Sequence, residues 1–148
     1  MTNSKMSSEL GELMIVLLSV KPEFAYKIFE GTKKYEYRKV LFSDLDGDKI
    51  LIYVSSPVKK IIGEIEVEEI ISDSPKELWR KTGKQGGISS YFFFEYFTDR
   101  GIGHAIKIKS VRRYETPVDP YKAIARFKAP QSFAYLKDAR LQRKFAFA

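Results

Sequence analysis

Two residue types are almost missing from this chain of 148 residues, which has no cysteine and a single histidine, His104. Without cysteine there is no disulfide, no thiolate metal site and no cysteine nucleophile, which suits a reducing cytosol. One histidine is too few for a metal site built from imidazoles, and it offers only one base to a Ser-His-Asp arrangement. We therefore expect no bound metal, and we expect His104 to be a packed or exposed residue rather than a catalyst.

Long apolar runs and phosphate-binding motifs are also absent from the sequence. No stretch reaches the roughly 18 apolar residues of a membrane span, and the apolar run of residues 13–20 does not follow a basic segment as in a signal peptide. Neither a GxxxxGKS/T loop nor a strand followed by GxGxxG occurs, so folds that bind nucleotide cofactors lose support. The aspartates of residues 44–48 resemble the start of a calcium loop, but Ser55 stands where its final glutamate belongs. These absences predict a cytoplasmic protein with no membrane contact and no cofactor.

The composition provides enough apolar material for one core. Hydrophobic residues make up 44% of the sequence and aromatic residues 14%, so most of the chain is expected to fold. The polar start of the chain has no such content. We predict a single domain over residues 13–148, preceded by a disordered segment over residues 1–12.

The positive charge of the chain is concentrated at one end. The formal net charge is +7, yet residues 1–104 hold 15 Lys and Arg against 16 Asp and Glu, whereas residues 105–148 hold 11 against 3. A local basic excess favours a polyanionic partner, usually nucleic acid. Because a modest net charge also keeps ordinary domains in solution, charge alone leaves both interpretations open.

Apolar periodicity and turn residues divide the chain into short strands and helices. Pro22 opens a helix that Gly31 ends, and Ser74 caps a second helix. Gly63 interrupts a strand, which suggests the bulge or bend that a small barrel needs. Strands are predicted over residues 13–20, 31–42, 49–56, 60–71 and 103–114. Helices are predicted over residues 22–30, 72–83 and 88–97, the last of them buried, with short helices also expected within residues 129–148.

The strand predicted over residues 103–114 alternates between a dry face and a basic face. Its basic side chains, together with nearby aromatic residues, suit the phosphates and bases of a nucleic-acid strand. Four of them are candidate nucleic-acid contacts, namely Lys107, Lys109, Arg112 and Arg113. The aromatic residues near them are Tyr114, Tyr121, Phe127 and Tyr135.

A longer pattern covers residues 17–39, which read LLSVKPEFAYKIFEGTKKYEYRK. The pattern resembles the N-terminal signature of the ASCH family in the PUA-like superfamily, a strand ending in S-x-K-P, a helix, and then G-x-K-x-x-E-x-R. The matching residues are Ser19, Lys21, Pro22, Gly31, Lys33, Glu36 and Arg38. Residues 91–108 and the PQSF segment at residues 130–133 are similar to later elements of the same family, in the same order.

The resemblance implies an α+β fold, a PUA-like small mixed β-barrel with flanking helices and a cleft beside the signature. Relatives in this superfamily bind RNA or modified bases. The implied partner is therefore a nucleic acid, with RNA preferred, or a nucleoside. Some small ASCH proteins resemble amidohydrolases that remove an acyl group from a modified cytidine nucleoside, and nuclease activity has been suggested for others. We expect a monomer or a small homo-oligomer.

The signature residues carry chemistry that fits such a ligand. Lys21 and Lys33 supply compact positive charge, and Arg38 offers a planar fork for phosphate, a base edge or a carboxylate. Glu36 has the same strand parity as Arg38, so the two side chains can pair or share a ligand. The alternative is a solvated strand whose charges only keep it soluble and block edge pairing.

Further residues near the signature are assigned by simpler arguments. Ser19 and Ser132 are candidates for the cleft, although Ser132 also suits the cap of a following helix. Tyr35 and Tyr37 are expected in the core or the wall of the cleft rather than as stacking platforms. Lys39 does not match the signature and is assigned to surface charge.

RNA binding is our principal prediction, and two enzymatic activities and a protein-interaction module are the alternatives. In the amidohydrolase-like relatives a hydroxyl residue follows the signature lysine by three positions, and Glu36 stands there in this chain. The catalytic candidates are Lys33, if burial or Lys21 lowers its pKa, and Glu36 as a general base for water. Glu64 is a second possible base. An RNA-cleaving enzyme remains the other catalytic alternative.

Overall fold

The computed structural model describes residues 15–43, 47–137 and 145, which form six strands and four helices. The strands are β1 (Ile15–Val20), β2 (Tyr35–Arg38), β3 (Lys49–Val54), β4 (Lys60–Asp73), β5 (Gly103–Val118) and β6 (Phe133–Leu136). The helices are α1 (Pro22–Glu30), α2 (Pro75–Thr82), α3 (Ser90–Tyr96) and α4 (Pro120–Ala123). One turn of 3-10 helix, Gly83–Gln85, follows α2.

All six strands belong to one sheet with the order β2-β5-β4-β3-β1-β6. The β1 and β3 strands are parallel, and every other neighbouring pair is antiparallel. Although β2 lies at one end of this order, Arg38 in β2 donates to the carbonyl oxygen of Ser19 in β1 and to that of Ser132, just before β6. The sheet is therefore curled so that its two ends meet. This curled half-barrel with flanking helices confirms the predicted α+β, PUA-like fold.

The centre of the sheet is buried on both faces. Val16 and Leu18 of β1 belong to one apolar cluster with β3 and α1, whereas Leu17 points to a second cluster with Leu51 and Tyr53. A strand covered on both sides reads as a continuous apolar run, which explains why residues 13–20 lack alternation. A third cluster lies under α2 and α3 around Tyr37 and Phe93.

Helix α1 begins and ends as the sequence predicts. Pro22 occupies its first turn, Ala25 and Ile28 are buried, and Gly31 ends it with a φ of 88°. Gly63 of β4 lies at a shift in strand register, as expected for a bulge. A Cβ atom at this position would lie only 2.6 Å from the Phe29 ring, so glycine lets α1 pack closely on β4.

Several boundaries and one burial assignment differ from the sequence prediction. Residues 133–136 form a strand rather than a helix, because they pair with the open edge of β1. The β5 strand continues to Val118, since β4 is long enough to pair with it that far. Helix α3 begins after its Ser89 cap, within the predicted range, but it is not buried, since only Phe93 within it is covered. The β2 strand is limited to four residues: before it, the Lys34 carbonyl still accepts from Ile108 of β5, but the Lys34 N–H donates to the Gln85 carbonyl in the loop.

The predicted domain limits remain predictions. Residues 1–12, most of the turn at residues 44–48 and most of the tail after Lys137 lie outside the described residues. Within the described ranges, none of the helices has the length and apolar character needed to span a membrane.

Candidate nucleotide-binding cavity

A cavity of about 780 Å³ opens where the ends of the curled sheet meet. Its walls come from the end of β1, the start of α1, β2, the segment after β3 and residues 129–132. The volume lies within the roughly 300–1,000 Å³ of small-molecule sites. The polar and charged side chains that line it are Ser19, Lys21, Lys33, Glu36, Arg38, Lys39, Ser55, Ser56, Lys59, Arg100, Gln131 and Ser132.

Three charged residues of the signature form a buried cluster in this cavity. Lys33, Glu36 and Arg38 are only 3%, 6% and 6% exposed. Arg38 Nη2 lies 2.9 Å from Glu36 Oε2, and Lys33 Nζ lies 3.9 Å from Glu36 Oε1. Glu36 therefore stands between two cations and holds them together, as its shared strand parity with Arg38 allows. The alternative of a solvated strand is excluded for these three side chains, because solvent barely reaches them.

Arg38 links three parts of the barrel. Its Nη2 atom donates to the Ser19 carbonyl at 2.7 Å, and its Nη1 atom donates to the Ser132 carbonyl at 3.3 Å and the Ser132 hydroxyl at 3.4 Å. Its Nε atom is buried without a hydrogen-bond partner among the described residues. The guanidinium of arginine provides several donors in one fixed plane, which the ammonium of lysine cannot do. The Ser132 hydroxyl is thus an acceptor for Arg38, and the helix that it was thought to cap does not form.

Lys33 is held beneath the loop that follows α2. Its ammonium donates to the Gly86 carbonyl and lies 4.8 Å from the Tyr37 ring centre and 5.3 Å from that of Phe24. Burial lowers the pKa of Lys33, Glu36 opposes that shift, and the positive charges of Lys27 and Arg38 add to it. Lys33 can act as a base only if its pKa is lowered, and the direction of this shift meets that requirement.

The mouth of the cavity carries four more cations, which are Lys21, Lys39, Lys59 and Arg100. Within the described ranges no carboxylate lies within salt-bridge distance of them. With Lys33 and Arg38 they make six cations in the lining against one carboxylate, that of Glu36. Such an excess in a concave, partly apolar site attracts anions.

Tyrosine rings form much of the remaining wall. The Tyr53 hydroxyl lies 3.0 Å from that of Tyr121, and burial raises the pKa of Tyr53. Tyr37 is hydrogen-bonded to Thr82 at 2.7 Å, and burial raises the pKa of Tyr37 to about 12. Burial also raises the pKa of Tyr96, whose ring lies 4.7 Å from the Lys39 ammonium. These hydroxyls therefore remain protonated near neutral pH and are hydrogen-bond donors rather than bases.

Six of the predicted site residues are brought together by this geometry: Ser19, Lys21, Lys33, Glu36, Arg38 and Ser132. Tyr35 and Tyr37 are buried, as expected for core and wall positions. Whether the six bind a ligand stays a prediction that the fold makes geometrically possible.

The four basic candidates of β5 lie elsewhere, outside the cavity lining. Lys107 pairs with Glu68 at 2.9 Å, and Lys109 lies 3.7 Å from Glu66. The other two have partners as well: Arg112 pairs with Glu64 at 3.1 Å, and the Arg113 guanidinium lies over the Tyr26 ring. Their predicted contact with nucleic acid remains a prediction.

His104 and Glu64 also lie outside the cavity. The Nδ1 atom of His104 is 2.7 Å from the Ser72 hydroxyl, and burial lowers the pKa of this histidine. Glu64 is buried between β4 and β5, where it accepts from Tyr114 at 2.9 Å. Neither is placed to act on a ligand in the cavity. Among the described residues there is no group of three or more His, Cys, Asp or Glu side chains that could hold a metal.

Sequence reasoning missed several residues of the lining as site residues, Ser55, Ser56 and Tyr96 among them. Lys39 was assigned to surface charge, and Lys59, Tyr53 and Arg100 were not considered. Lys59 and Arg100 lie in connections between elements, where no periodicity identifies a direction for the side chain. Only the position of Lys39, directly after the signature arginine, offered a signal.

Comparison with known proteins gives this arrangement a context. Along 125 residues the chain is 29% identical to large ribosomal subunit protein uL22 of Ureaplasma parvum serovar 3, a match that covers 82% of this chain but only 39% of that protein. It is also 29% identical over 130 residues to an ASCH domain-containing ribonuclease of Zymomonas mobilis subsp. mobilis, covering 86% of this chain and 87% of the relative.

The fold has a solved counterpart in the same organism as the second relative. The crystal structure of ASCH from Zymomonas mobilis superposes with a TM-score of 0.81 and 26% identity, covering 89% of this chain and 94% of that one. The family profile described as ASCH domain matches residues 18–124, which include the whole signature from Ser19 to Arg38. This chain belongs to the ASCH domain family.

Proposed function

We propose that this chain binds single-stranded RNA, with one nucleotide in the cavity and the neighbouring phosphates on the cations at its mouth. The observation that carries the proposal is the lining itself, six cations and one carboxylate between tyrosine rings. Phosphates pair with Lys and Arg, and bases stack on aromatic rings, so the two kinds of side chain together suit an unpaired nucleotide.

The positions of the cations support a strand rather than a free small anion. Lys33 and Arg38 are already neutralised in part by Glu36 inside the cavity, whereas Lys21, Lys59 and Arg100 are exposed around its opening. Charge outside the cavity has most value for a ligand that extends beyond it. The likeness to a protein named as a ribonuclease over most of both chains favours RNA over DNA as that ligand.

Fluorescence anisotropy with a labelled single-stranded 12-mer RNA tests the proposal. We expect binding that weakens steeply as salt rises and that a duplex of the same sequence competes for poorly. Lys59→Ala should weaken binding, whereas Lys76→Ala, which removes an exposed lysine of α2 outside the lining, should not. Equal losses for both variants, or binding that ignores salt, would contradict a site in the cavity.

Cleavage of the bound strand is a second candidate function, favoured by the buried Lys33–Glu36–Arg38 cluster together with the ribonuclease relative. In such a reaction the ribose 2′-oxygen attacks phosphorus while the bond to the 5′-oxygen breaks, giving a cyclic phosphate and a 5′-hydroxyl. One group must accept the 2′-hydroxyl proton and another must protonate the leaving oxygen. Glu36 and Lys33 are the candidates for these two roles.

Glu36→Gln separates cleavage from binding, because the amide keeps the shape of the side chain but removes its negative charge. We expect loss of RNA cleavage on a denaturing gel with RNA binding retained, after circular dichroism has verified the fold. Cleavage at the wild-type rate would remove Glu36 from the reaction. An N-acylated cytidine is assayed in parallel, since its hydrolysis without RNA cleavage would favour the amidohydrolase alternative.

A further inference from the structure

Helix α3 exposes an unusual amount of aromatic surface. Tyr91 is 68% exposed, Phe92 58%, Phe94 40% and Tyr96 36%, although the helix has only seven residues. Phe93 is the buried anchor of the helix, with its ring centre 4.9 Å from that of Tyr37 and 5.0 Å from that of Trp79. The Phe94 ring also packs on Trp79, and the Tyr96 hydroxyl donates to the Tyr37 carbonyl at 3.5 Å. These contacts hold the helix on the barrel, but they leave Tyr91 and Phe92 more than half exposed.

The two flanks of α3 differ in charge. Tyr96 lines the cavity beneath the Lys39 ammonium, and Arg100 lines it just beyond the end of the helix. Phe92 precedes Tyr96 by one turn, so the two side chains leave the helix along one stripe, with their Cβ atoms about 5–6 Å apart. The other flank is a shallow depression lined by Tyr91, Phe94 and the carboxylate of Glu95, with Ser90 and Thr98.

We propose that the stripe of Phe92 and Tyr96 continues the RNA-binding surface out of the cavity. The Lys39 ammonium leaves the face of the Tyr96 ring for a phosphate, and the base next to the nucleotide in the cavity stacks on that face. The following base stacks on Phe92, and Arg100 contacts a phosphate of the same segment. This inference rests on the proposed function, because it extends the same bound strand. It assigns to the protein a footprint of about three nucleotides, limited to unpaired RNA because duplexed bases cannot stack on a protein ring.

An RNA strand fits this surface better than a second copy of the chain does. In a two-fold symmetric dimer the same patch meets itself, so Lys39 and Arg100 of one copy would approach those of the other. Within the described residues neither cation has a carboxylate partner to relieve that repulsion. A polyanion instead gains from both cations, and the stripe is continuous with the cavity through Tyr96.

The test compares Phe92→Ser, Phe92→Leu and Phe92→Tyr with the matched control Phe94→Leu, which removes a partly exposed ring on the acidic flank. Affinity is measured for a labelled single-stranded 12-mer RNA and for uridine 5′-monophosphate. We expect Phe92→Ser and Phe92→Leu to weaken 12-mer binding about ten-fold, the usual size of one lost base stack, while mononucleotide binding is unchanged. Phe92→Tyr, which keeps a ring, and Phe94→Leu should bind both ligands as the wild type does.

Each unexpected binding result contradicts a different part of the hypothesis. If Phe92→Ser binds the 12-mer like the wild type while Lys59→Ala binds it weakly, the stripe is not part of the footprint and the proposed function stands. If Phe92→Leu keeps full affinity, the contact is apolar and not stacking, which overturns the inference. If Phe92→Ser changes only the mass measured by sedimentation, the stripe is an interface between copies. If the wild type binds no RNA, both this inference and the proposed function are wrong.

Discussion

Two regions of this molecule are rich in basic residues, but in only one of them do the positive charges outnumber the neighbouring carboxylates. The β4–β5 ribbon, formed by Lys60–Asp73 and Gly103–Val118, carries four of the eleven basic residues in the positive last third of the sequence. There the lysines of β5 face glutamates of β4, as in the pairs of Lys107 with Glu68 and Lys109 with Glu66. In the cavity six cations share a single carboxylate.

The difference shows that a count of charge along the chain does not locate a binding surface. The ribbon is basic when β5 is read alone, but pairing with an acidic neighbour cancels most of its field. The cavity draws its cations from residues 21–100, a part of the chain in which 14 Lys and Arg are balanced by 14 Asp and Glu. What matters is which charges are brought close together, and this depends on the sheet rather than on the composition.

The largest difference between the regions should appear in stability. Arg38→Ala removes a buried cation and leaves the Glu36 carboxylate and the carbonyls of Ser19 and Ser132 without its donors. We expect a loss of about 3–5 kcal/mol in the free energy of unfolding, measured by denaturant titration. Lys109→Ala, which removes an exposed partner of the ribbon, should unfold at nearly the wild-type midpoint. Similar losses for the two variants would show that burial does not separate the regions.

The next effect should appear in the salt dependence of RNA binding. Replacing both Lys21 and Lys59 with alanine should lower the slope of log affinity against log salt by about 1.4, since each phosphate contact on a single strand contributes about 0.7. The same change at Lys107 and Lys109 should leave the slope unaltered, because those lysines remain neutralised by β4. A reversed result would transfer the RNA-binding surface from the cavity to the ribbon.

A smaller effect is expected for the pH dependence of folding. Because the pKa of Lys33 in the folded protein lies below the 10.5 of an unperturbed lysine, the unfolded chain binds more protons between those two values. The stability of the wild type relative to Lys33→Met should therefore rise as pH increases through this window, and it should level off above 10.5. Denaturation of both proteins at matched alkaline pH values measures the difference. A constant difference would mean that burial leaves the pKa unchanged.

The smallest effect should come from weakening the pairs of the ribbon. Replacing Glu66 and Glu68 with glutamine removes the carboxylates that face Lys109 and Lys107. We expect RNA affinity at low salt to rise roughly two- to three-fold, because exposed lysines without a cavity give only non-specific attraction. Anisotropy with the same 12-mer measures this change. A fall in affinity would show that the glutamates themselves support the bound strand.

Local features of this fold were predictable because they depend on a few adjacent residues. Gly31 ends α1 in a left-handed conformation, Ser74 caps α2, and Ser89 caps α3, each as its residue type indicates. The shared face of Glu36 and Arg38 follows from strand parity. The exposure of α3 could not be predicted, because its aromatic content is high on every side and only neighbouring elements determine which rings are covered.

The sequence by itself determined the family and the chemical groups of the signature, since these reside in residue types at fixed spacings between Ser19 and Arg38. The tertiary structure alone decided that residues 133–136 become a strand on the edge of β1, that Ser132 thereby meets Arg38, and that Lys59 and Arg100 join the same cavity. The physical reason is the separation along the chain over which each kind of interaction acts. Turn and capping preferences act over a few residues, whereas the curl of the sheet brings together groups that lie nearly one hundred residues apart, as Arg38 and Ser132 do.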